Sequence, residues 1–362
     1  MKAVVMRAGE LVIDEVPDPT PGPGEVVVRT LACGICGSDL HALRHLDQMA
    51  EAQDAGGVLG GGLSPDRDLI MGHEFTGEVV ASGDGAPGSP APGTRVCSIP
   101  VMFRGGRLHA IGYDNEIPGG FAEYMVLNAA TLLEVPNGLD TETAALTEPM
   151  SVGRHAVARA ALTPDDVALV VGCGPVGLSV IAALAQRGVH PIIAADFSPA
   201  RRRLALEFGA DSVVDPRDHS PYERWQDLAW PPGVDRADPL VRLLGPKPRP
   251  GVVFECVGVP GVLQEILEGA MRDTRVVVVG VCMEHDRIRP LTGIGKEINI
   301  QFVLGYTPEE FSATLTDLAE GELRPQPMIS GRVALDGVAE AFEALADPES
   351  HAKIIVDPTR SD

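Results

Sequence analysis

The feature that most constrains the fold is a regular alternation of apolar runs and helical stretches between residues 162 and 304. The apolar runs cover 167–171, 191–195, 252–255 and 276–280, and the helical stretches cover 176–187, 201–208 and 262–271. A strand, a helix and a second strand in succession are typical of a parallel βαβ unit. The alternation therefore predicts a doubly wound α/β sheet that binds a nucleotide.

A glycine triplet follows the first of these apolar runs. Gly172, Gly174 and Gly177 fit G-x-G-x-x-G directly after a strand, and Pro175 and Val176 open the following helix. The first glycine makes the tight turn, the second lets the backbone approach a pyrophosphate, and the third lets helix and strand pack closely. Because the positive end of the helix then faces the phosphates, this motif predicts a dinucleotide cofactor.

The carboxylate at the end of the next strand indicates which dinucleotide is preferred. Asp196 can accept hydrogen bonds from the adenosine ribose hydroxyls and would repel a 2′-phosphate, which favours NAD over NADP. The run Arg201–Arg203 is the opposing signal, because arginines near this position can pair with a 2′-phosphate. After Ser198 and Pro199, however, such arginines more often form the solvated start of a helix. We expect NAD, with Arg201 among its contacts.

The charge balance excludes two classes of partner. The chain has 51 acidic and 29 basic residues, and its net charge of −22 would repel phosphate backbones and anionic membranes. No apolar run reaches the roughly 18 residues that cross a bilayer, and the first residues show no secretory cleavage pattern. Six scattered cysteines favour reduced thiols. We therefore expect a cytoplasmic protein of two domains that binds neither nucleic acid nor a membrane.

Three segments outside the alternation differ in composition. Residues 1–48 hold short β-type runs separated by a Pro/Gly turn, which predicts a β-rich module. Residues 50–68 carry a glycine cluster, which predicts a mobile inserted loop, with a substrate lid as the functional alternative. Residues 216–250 are rich in proline and include Trp225 and Trp230, which predicts an elaborated surface connection.

The densest chemical cluster is Cys33-Gly-Ile-Cys36-Gly-Ser38-Asp39-Leu-His41. Read alone, the two cysteines fit a thiol redox pair or half of a zinc ribbon. No second C-x-x-C completes a ribbon, and a redox pair is expected in a thioredoxin-like unit, whereas a β-rich segment precedes this one. A histidine of the type that binds metals follows in Met71-Gly-His73-Glu74. These residues favour a metal site over disulfide chemistry.

Taken in order, five motifs resemble the zinc-containing medium-chain dehydrogenase family over nearly the whole chain. They are G-I-C-G-S-D-x-H, G-H-E, T-E-P, the glycine triplet and Phe254-Glu-Cys-Val-Gly258. The resemblance implies a discontinuous GroES-like catalytic domain, rich in β-structure, over 1–150 and 305–362, and an NAD-binding Rossmann domain over 151–304. The Glu148-Pro149 pair resembles the sorbitol and polyol dehydrogenase branch.

The resemblance also implies one catalytic zinc per chain. Carried over by position, Cys36 and His73 are the first two ligands, and Glu148 is the expected third. Glu74 is the rival third ligand, because relatives let either carboxylate bind the metal. A fourth position stays open for water or the substrate oxygen. Asp39 would orient His73 by accepting its other N–H.

The implied chemistry is hydride transfer between NAD and an alcohol or carbonyl substrate: a secondary alcohol, a polyol or an aromatic alcohol. Ser38 would take the hydroxyl proton and pass it through the cofactor ribose to His41 and water. By analogy, Gly258 and the strand end at Gly280 and Val281 would line the nicotinamide, and Val257 is a further expected cofactor contact. A zinc-free enone or quinone reductase of the same fold and a non-catalytic NAD-binding protein are the alternatives.

Two further expectations concern the second metal of this family and the assembly. Many relatives hold a structural zinc with four closely spaced cysteines, but residues 97–107 contain one cysteine, so we predict no structural zinc. Residues 297–304 read as a strand, and in this family the corresponding strand pairs across a two-fold axis. A homodimer or homotetramer is therefore expected.

Overall fold

The computed structural model of the chain describes residues 1–56, 62–85, 88–136 and 138–360, except for the side chains of Arg242 and Leu243. Two compact units emerge, one formed by Met1–Pro149 with Thr307–Asp362 and the other by Met150–Tyr306. Within the described ranges, no helix combines the length and the apolar character that a membrane span requires.

The first part of the first unit is mostly β-structure. Its strands are β1 (Lys2–Arg7), β2 (Glu10–Glu15), β3 (Glu25–Gly34), β4 (Glu74–Ser82), β5 (Arg95–Ser98), β6 (Val101–Arg104), β7 (Arg107–Ala110), β8 (Tyr124–Asn128) and β9 (Leu132–Glu134). Its helices are α1 (Gly37–Gly56), α2 (Thr141–Ala145) and the start of α3 (Thr147–Arg159). β3 is the longest strand, and it pairs antiparallel with β4 and β8.

The prediction of a loop for residues 50–68 is wrong at its first end, whereas the described residues 62–68 form neither a helix nor a strand. Residues 50–56 belong to α1, whose alanine, leucine, glutamate and glutamine content favours a helix. At the other end, the side-chain amide of Asn115 donates to the carbonyls of Ser64, Arg67 and Asp68 at 3.0–3.2 Å. Residues 57–61 lie outside the described residues. The described parts of this segment are therefore built into the first unit.

The second unit contains the predicted Rossmann sheet. Its strands are β10 (Val167–Val171), β11 (Ile192–Ala195), β12 (Ser212–Val214), β13 (Gly251–Glu255), β14 (Arg275–Val278) and β15 (Asn299–Phe302). Its helices after α3 are α4 (Pro175–Gln186), α5 (Pro199–Glu207), α6 (Pro221–Ala229), α7 (Pro239–Leu244), α8 (Val262–Gly269) and α9 (Pro290–Lys296). All strands run parallel in the order β12-β11-β10-β13-β14-β15. This order reverses beside β10, where doubly wound folds bind dinucleotides.

The predicted surface connection at 216–250 contributes to the core instead. Trp225 in α6 is fully buried in the cluster that includes Val167 and Ile266, and its indole N–H donates to the Val167 carbonyl at 2.8 Å. A buried indole needs such a partner, which ties α6 to the start of β10. Two of the prolines that suggested a loop, Pro221 and Pro239, stand at the first turns of α6 and α7, where proline is favoured.

The last part of the chain returns to the first unit. It forms α10 (Pro308–Glu320), β16 (Ile329–Val333), α11 (Val338–Ala344) and β17 (Lys353–Val356). β17 pairs antiparallel with the end of β3, with Val356 opposite Cys33 and Ile355 opposite Gly34. The chain's last strand therefore lies beside the segment that carries the predicted metal ligands.

Candidate metal centre and cofactor edge

Cys36 lies at the junction between β3 and α1, and Asp39 fixes its backbone. The amide of Cys36 donates to Asp39 Oδ2 at 2.9 Å, and the amide of Asp39 donates back to the Cys36 carbonyl at 3.1 Å. Asp39 is fully buried in the first turn of α1, where its carboxylate accepts from an amide near the start of the helix. The position of Cys36 is therefore set by local hydrogen bonds.

The pairing of β3 with β4 brings His73 and Glu74 to the same junction. Gly34 is the register partner of Glu74, and a Cβ at Gly34 would overlap Glu74 Oε2. Glycine at this position is what lets the carboxylate approach β3 so closely. One donor atom from each of Cys36, His73 and Glu74 lies within 4.8 Å of the other two. A thiol, an imidazole and a carboxylate are donors that catalytic zinc accepts, so the residues fit this metal.

Lys353 pairs with Glu74 and was not predicted from the sequence. Its ammonium donates to both carboxylate oxygens of Glu74 at 2.7 Å and to the Ile35 carbonyl at 2.9 Å, and both side chains are fully buried. Burial lowers the pKa of Lys353, but Glu74 and Cys36 raise it above its usual value overall. Lys353 therefore stays charged and competes with a metal ion for the Glu74 carboxylate.

Glu148 is the other predicted carboxylate. It lies in the first turn of α3, is 8% exposed, and is not part of the group formed by Cys36, His73 and Glu74. Its charge contributes to raising the pKa of Lys353, so the two side chains interact electrostatically. The structure thus brings three of the four predicted donors together and engages one of them, Glu74, in an ion pair.

Asp39 faces His73, as expected of a carboxylate that orients a metal-binding imidazole. Asp39 Oδ1 lies 3.4 Å from His73 Nδ1, which is buried and makes no hydrogen bond. Burial lowers the pKa of His73, but Asp39 and Cys36 together raise it well above its usual value. With a metal bound, the nitrogen facing the carboxylate would keep its proton and the other nitrogen would be the metal donor.

Tyr113 completes this group and was also missed from the sequence. Its phenol oxygen lies 2.8 Å from Asp39 Oδ1 and 2.8 Å from Ser38 Oγ, and its ring lies 5.1 Å from that of His73. Burial and the charge of Asp39 raise the pKa of Tyr113 well above its usual value, so the phenol keeps its hydrogen. Ser38 and His41 lie in the first turns of α1, both partly buried.

Cys33 does not behave as a redox partner of Cys36. It is fully buried at the end of β3, whereas Cys36 is partly exposed, and both are free thiols. Burial raises the pKa of Cys33 well above its usual value, so its thiol is unreactive. A Cβ at Gly72 or Gly120 would lie 2.9 or 2.7 Å from its sulfur, which shows how tightly the thiol is packed. Cys33 therefore has a packing role.

The segment where relatives carry a structural zinc forms the β6–β7 hairpin and the turn after it. Donor atoms of His109, Asp114 and Glu116 lie within 4.8 Å of one another. His109 Nδ1 is 2.7 Å from Asp114 Oδ2, and the Arg107 guanidinium lies 3.4 Å from Asp114 and 3.5 Å from Glu116. Because the arginine already supplies positive charge to both carboxylates, this group is arranged as an ion-pair network.

The glycine triplet lies at the carboxyl end of β10. Gly172 has a φ of 93°, and a Cβ at Gly177 would overlap the Gly172 carbonyl oxygen, so both positions require glycine. A Cβ at Gly174 would meet only the Arg201 guanidinium, at 3.9 Å, which leaves its outer side open. Pro175 is the first residue of α4, and Val176 follows it. This geometry matches the three roles that the motif predicts.

Asp196 follows β11 and ties two strand ends together. Its Oδ2 accepts from the Cys173 amide and its Oδ1 from the Ser198 amide, both at 2.8 Å. Arg201 extends from the first turn of α5 toward Gly174, and its Nε is buried without a hydrogen bond. A carboxylate and a cation beside the glycine loop therefore flank the end of β10.

The loop after β13 is held in the same way by a buried carboxylate. Glu255 Oε1 accepts from the amides of Val257 and Gly258 at 2.7 and 2.8 Å. A Cβ at Gly280 would lie 2.7 Å from Glu255 Oε2, and a Cβ at Gly258 would lie 2.8 Å from Val281. The predicted cofactor residues Val257, Gly280 and Val281 therefore occupy adjacent loops at the ends of β13 and β14.

Comparison with known proteins matches both parts of the chain to dehydrogenase families. Residues 22–137 match the family model described as the alcohol dehydrogenase GroES-like domain, and residues 175–320 match the model described as zinc-binding dehydrogenase. The chain is 32% identical to (R,R)-butanediol dehydrogenase of Bacillus subtilis (strain 168), covering 96% of each chain. It is 29% identical to sorbitol dehydrogenase of Gallus gallus, covering 99% of this chain and 97% of that protein.

Solved structures of dehydrogenases are also similar to this chain over nearly its whole length. The crystal structure of 2R,3R-butanediol dehydrogenase from Bacillus subtilis matches 99% of both chains at 30% identity with a TM-score of 0.76. A zinc-binding dehydrogenase from Sinorhizobium meliloti 1021, bound to NADP, matches 99% of both chains at 27% identity with a TM-score of 0.79. Because this similarity extends over nearly the whole chain, the resemblance seen in the sequence is confirmed. The chain belongs to the zinc-dependent medium-chain dehydrogenase family and is an NAD(P)-linked alcohol oxidoreductase.

Proposed function

We propose that the chain is a dehydrogenase that uses one catalytic zinc and NAD to oxidise a secondary alcohol group of a diol or polyol. The observation that carries the proposal is the convergence of Cys36, His73 and Glu74 within 4.8 Å, next to a buried Asp39. The substrate class is supported by the butanediol and sorbitol dehydrogenases among its relatives. When bound, zinc supplies Lewis-acid activation of the alcohol and NAD accepts the hydride.

The metal would be held by Cys36, His73 and Glu148, with Glu74 as the neighbouring carboxylate. The hydrogen bonds from Lys353 to both oxygens of Glu74 support this assignment, because they satisfy that carboxylate without a metal. The zinc content of two variants distinguishes Glu148 from Glu74 as the third ligand. Glu148→Gln is expected to lose zinc readily on dialysis, and Glu74→Gln is expected to retain it; the reverse order would make Glu74 the third ligand.

Each remaining residue of the centre has a role that its position supports. Asp39 would keep the His73 ring oriented, since it faces Nδ1 at 3.4 Å. Ser38 Oγ would accept the proton of the substrate hydroxyl while its own hydrogen leaves toward His41, and the imidazole of His41 would deliver a proton to water. His41→Ala is expected to lower turnover near neutral pH, and added imidazole should restore part of it.

NAD is proposed over NADP because of Asp196. Its carboxylate is fixed by two amides and would repel a 2′-phosphate, whereas Arg201 can donate to the diphosphate beside Gly174. The NADP found in the Sinorhizobium meliloti relative makes the opposite preference the alternative. The preference for NAD over NADP should fall sharply in Asp196→Ala, because kcat/KM for NAD should decrease and kcat/KM for NADP should increase.

The activity test is formation of the reduced cofactor with stereoisomers of 2,3-butanediol, with sorbitol and with benzyl alcohol, each with NAD and with NADP. We expect the highest kcat/KM for a vicinal diol with NAD. Higher kcat/KM for benzyl alcohol would overturn the substrate class, and higher kcat/KM with NADP would overturn the cofactor preference. Enone reduction that persists in Cys36→Ser would favour the zinc-free reductase.

A dimer through β15 is also proposed. Among the described strands, β15 ends the parallel sheet, and all its residues are exposed, including Phe302 at 66%. An exposed apolar edge strand can pair with the same strand of a second copy. Sedimentation should show a dimer or a larger assembly, and Phe302→Asp should shift it toward the monomer. A monomeric wild-type protein at micromolar concentration would refute this part.

We also propose a cytoplasmic location. All six cysteines are free thiols, as a reducing compartment and a metal thiolate require.

A further inference from the structure

Tyr113 contacts both the proposed proton acceptor, Ser38, and the carboxylate behind His73. Its hydroxyl lies 2.8 Å from Ser38 Oγ and 2.8 Å from Asp39 Oδ1. A phenol has a single hydrogen, and a carboxylate can only accept. The hydrogen of Tyr113 therefore goes to Asp39, and the Ser38 hydroxyl donates to the phenol oxygen. This arrangement holds the Ser38 hydroxyl in one orientation, with its lone pairs available to a substrate hydroxyl. When Ser38 takes the substrate proton, its own hydrogen leaves the phenol oxygen and passes on toward His41.

The hydrogen bond between Tyr113 and Asp39 also affects how strongly Asp39 interacts with His73. Asp39 Oδ2 accepts from the Cys36 amide at 2.9 Å, and Oδ1 accepts from Tyr113. His73 Nδ1 also faces Oδ1, but at 3.4 Å and without a hydrogen bond. A carboxylate that binds an imidazole N–H strongly makes the imidazole a stronger electron donor to a metal. Because Oδ1 divides its negative charge between the phenol and the imidazole, Tyr113 weakens that effect.

The turn that presents Tyr113 is held firmly from both sides. The Tyr113 amide donates to Ala110, and the next residue, Asp114, is bound by His109 at 2.7 Å. Asn115 then clamps the segment that precedes β4: its Oδ1 accepts from the Ser64 amide at 2.6 Å, and its side-chain amide donates to three carbonyls of residues 64–68. Tyr113 itself is 6% exposed. The phenol is therefore rigidly placed.

We propose that Tyr113 is a positioning residue of the catalytic centre, which fixes the Ser38 hydroxyl toward the substrate and limits the hydrogen bond between Asp39 and His73. The role rests on the zinc dehydrogenase function proposed above. It acts through Ser38 and Asp39 and requires no contact between Tyr113 and the metal.

The test is Tyr113→Phe, which removes only the hydroxyl, with Tyr124→Phe on β8 as the matched control. Because general acid–base transfer contributes about 10²–10⁴-fold and Tyr113 acts on it through Ser38, we expect kcat to fall roughly 10- to 100-fold. The KM for NAD should stay unchanged, and the solvent deuterium isotope effect on kcat should increase. Tyr124→Phe should behave as the wild type.

A second readout does not depend on turnover. In the cobalt-substituted protein, Tyr113→Phe should shift the visible d–d absorption, because Asp39 can then bind His73 more strongly. Asn115→Ala, which loosens the turn without touching the centre, should give a smaller change of the same sign. Unchanged kcat and an unchanged cobalt spectrum in an active, metal-loaded Tyr113→Phe protein would overturn the proposal. Absence of metal and activity in the wild type would instead refute the underlying function.

Discussion

Replacing Lys353 by methionine should be among the most destabilising changes in the first unit. Lys353 and Glu74 are both fully buried, and the ammonium makes three hydrogen bonds of 2.7–2.9 Å. Methionine fills the volume but leaves the Glu74 carboxylate buried without its counter-charge. Breaking one side of such a pair costs about 3–5 kcal/mol, because the remaining charge keeps its desolvation penalty.

The assay is urea unfolding of zinc-free protein, followed by circular dichroism. The double variant Lys353→Met/Glu74→Gln should recover much of the loss, since no unpaired charge remains. Arg332→Ala is the control, because Arg332 pairs with Glu142 on the surface at 52% exposure and should cost under about 1 kcal/mol. A loss below about 1 kcal/mol for Lys353→Met, or no recovery in the double variant, would refute the reasoning.

Three further predictions concern the cofactor loop, the core and the thiols. Gly174→Ala should weaken NADH binding, measured by fluorescence titration, while lowering the free energy of unfolding by under about 1 kcal/mol. Gly177→Ala should lower it by about 1–3 kcal/mol or more, because its Cβ would overlap a backbone carbonyl. Equal stability of the two variants in urea unfolding would contradict the geometry. Trp225→Ala should lower the free energy of unfolding in urea by about 3–5 kcal/mol. A loss under about 1 kcal/mol would contradict the burial of α6 in the core. Burial raises the pKa of Cys97 from 9.0 to about 12, so ionisation of this thiol favours unfolding as pH rises from about 9 toward 12. At pH 8, iodoacetamide should label the exposed Cys282 while Cys97 stays unlabelled, and equal labelling by peptide mass mapping would contradict the buried placement.

The sequence predicted the strands and helices around the glycine triplet closely because their signals are local. The strand at 167–171 was predicted with the bounds that the structure has, and the helix after the glycine triplet begins one residue before its predicted start. Glycine at 172 and 177 is required by short-range sterics that a motif can express. The strand predicted at 297–304 is shorter, Asn299–Phe302, since only these residues pair with β14.

The two errors in segment structure came from giving turn residues too much weight. Residues 50–56 contain good helix formers, but they were assigned to a loop because of the glycine cluster that follows them. At 216–250, prolines suggested a loop although proline is common in a first helical turn, and the core role of Trp225 depends on contacts with Val167.

The residues that were missed at the metal centre depend on long-range pairing. Lys353 is 279 positions from Glu74 and reaches it because β17 pairs with β3. A lysine in the apolar run Ala352-Lys-Ile-Ile-Val356 was a signal for a buried charge, but its partner could not be read from the sequence. Tyr113 is 74 positions from Asp39 and lies in a turn without any motif of its own.

The measurement that tests the account most directly is the zinc content per chain of the purified wild-type protein and of Cys36→Ser, each determined after dialysis. The account predicts close to one zinc per wild-type chain and almost none in Cys36→Ser, with the His109, Asp114 and Glu116 group binding none. Two zincs per chain would show that this second group is a metal site, and a wild-type protein that is active without zinc would contradict the central claim.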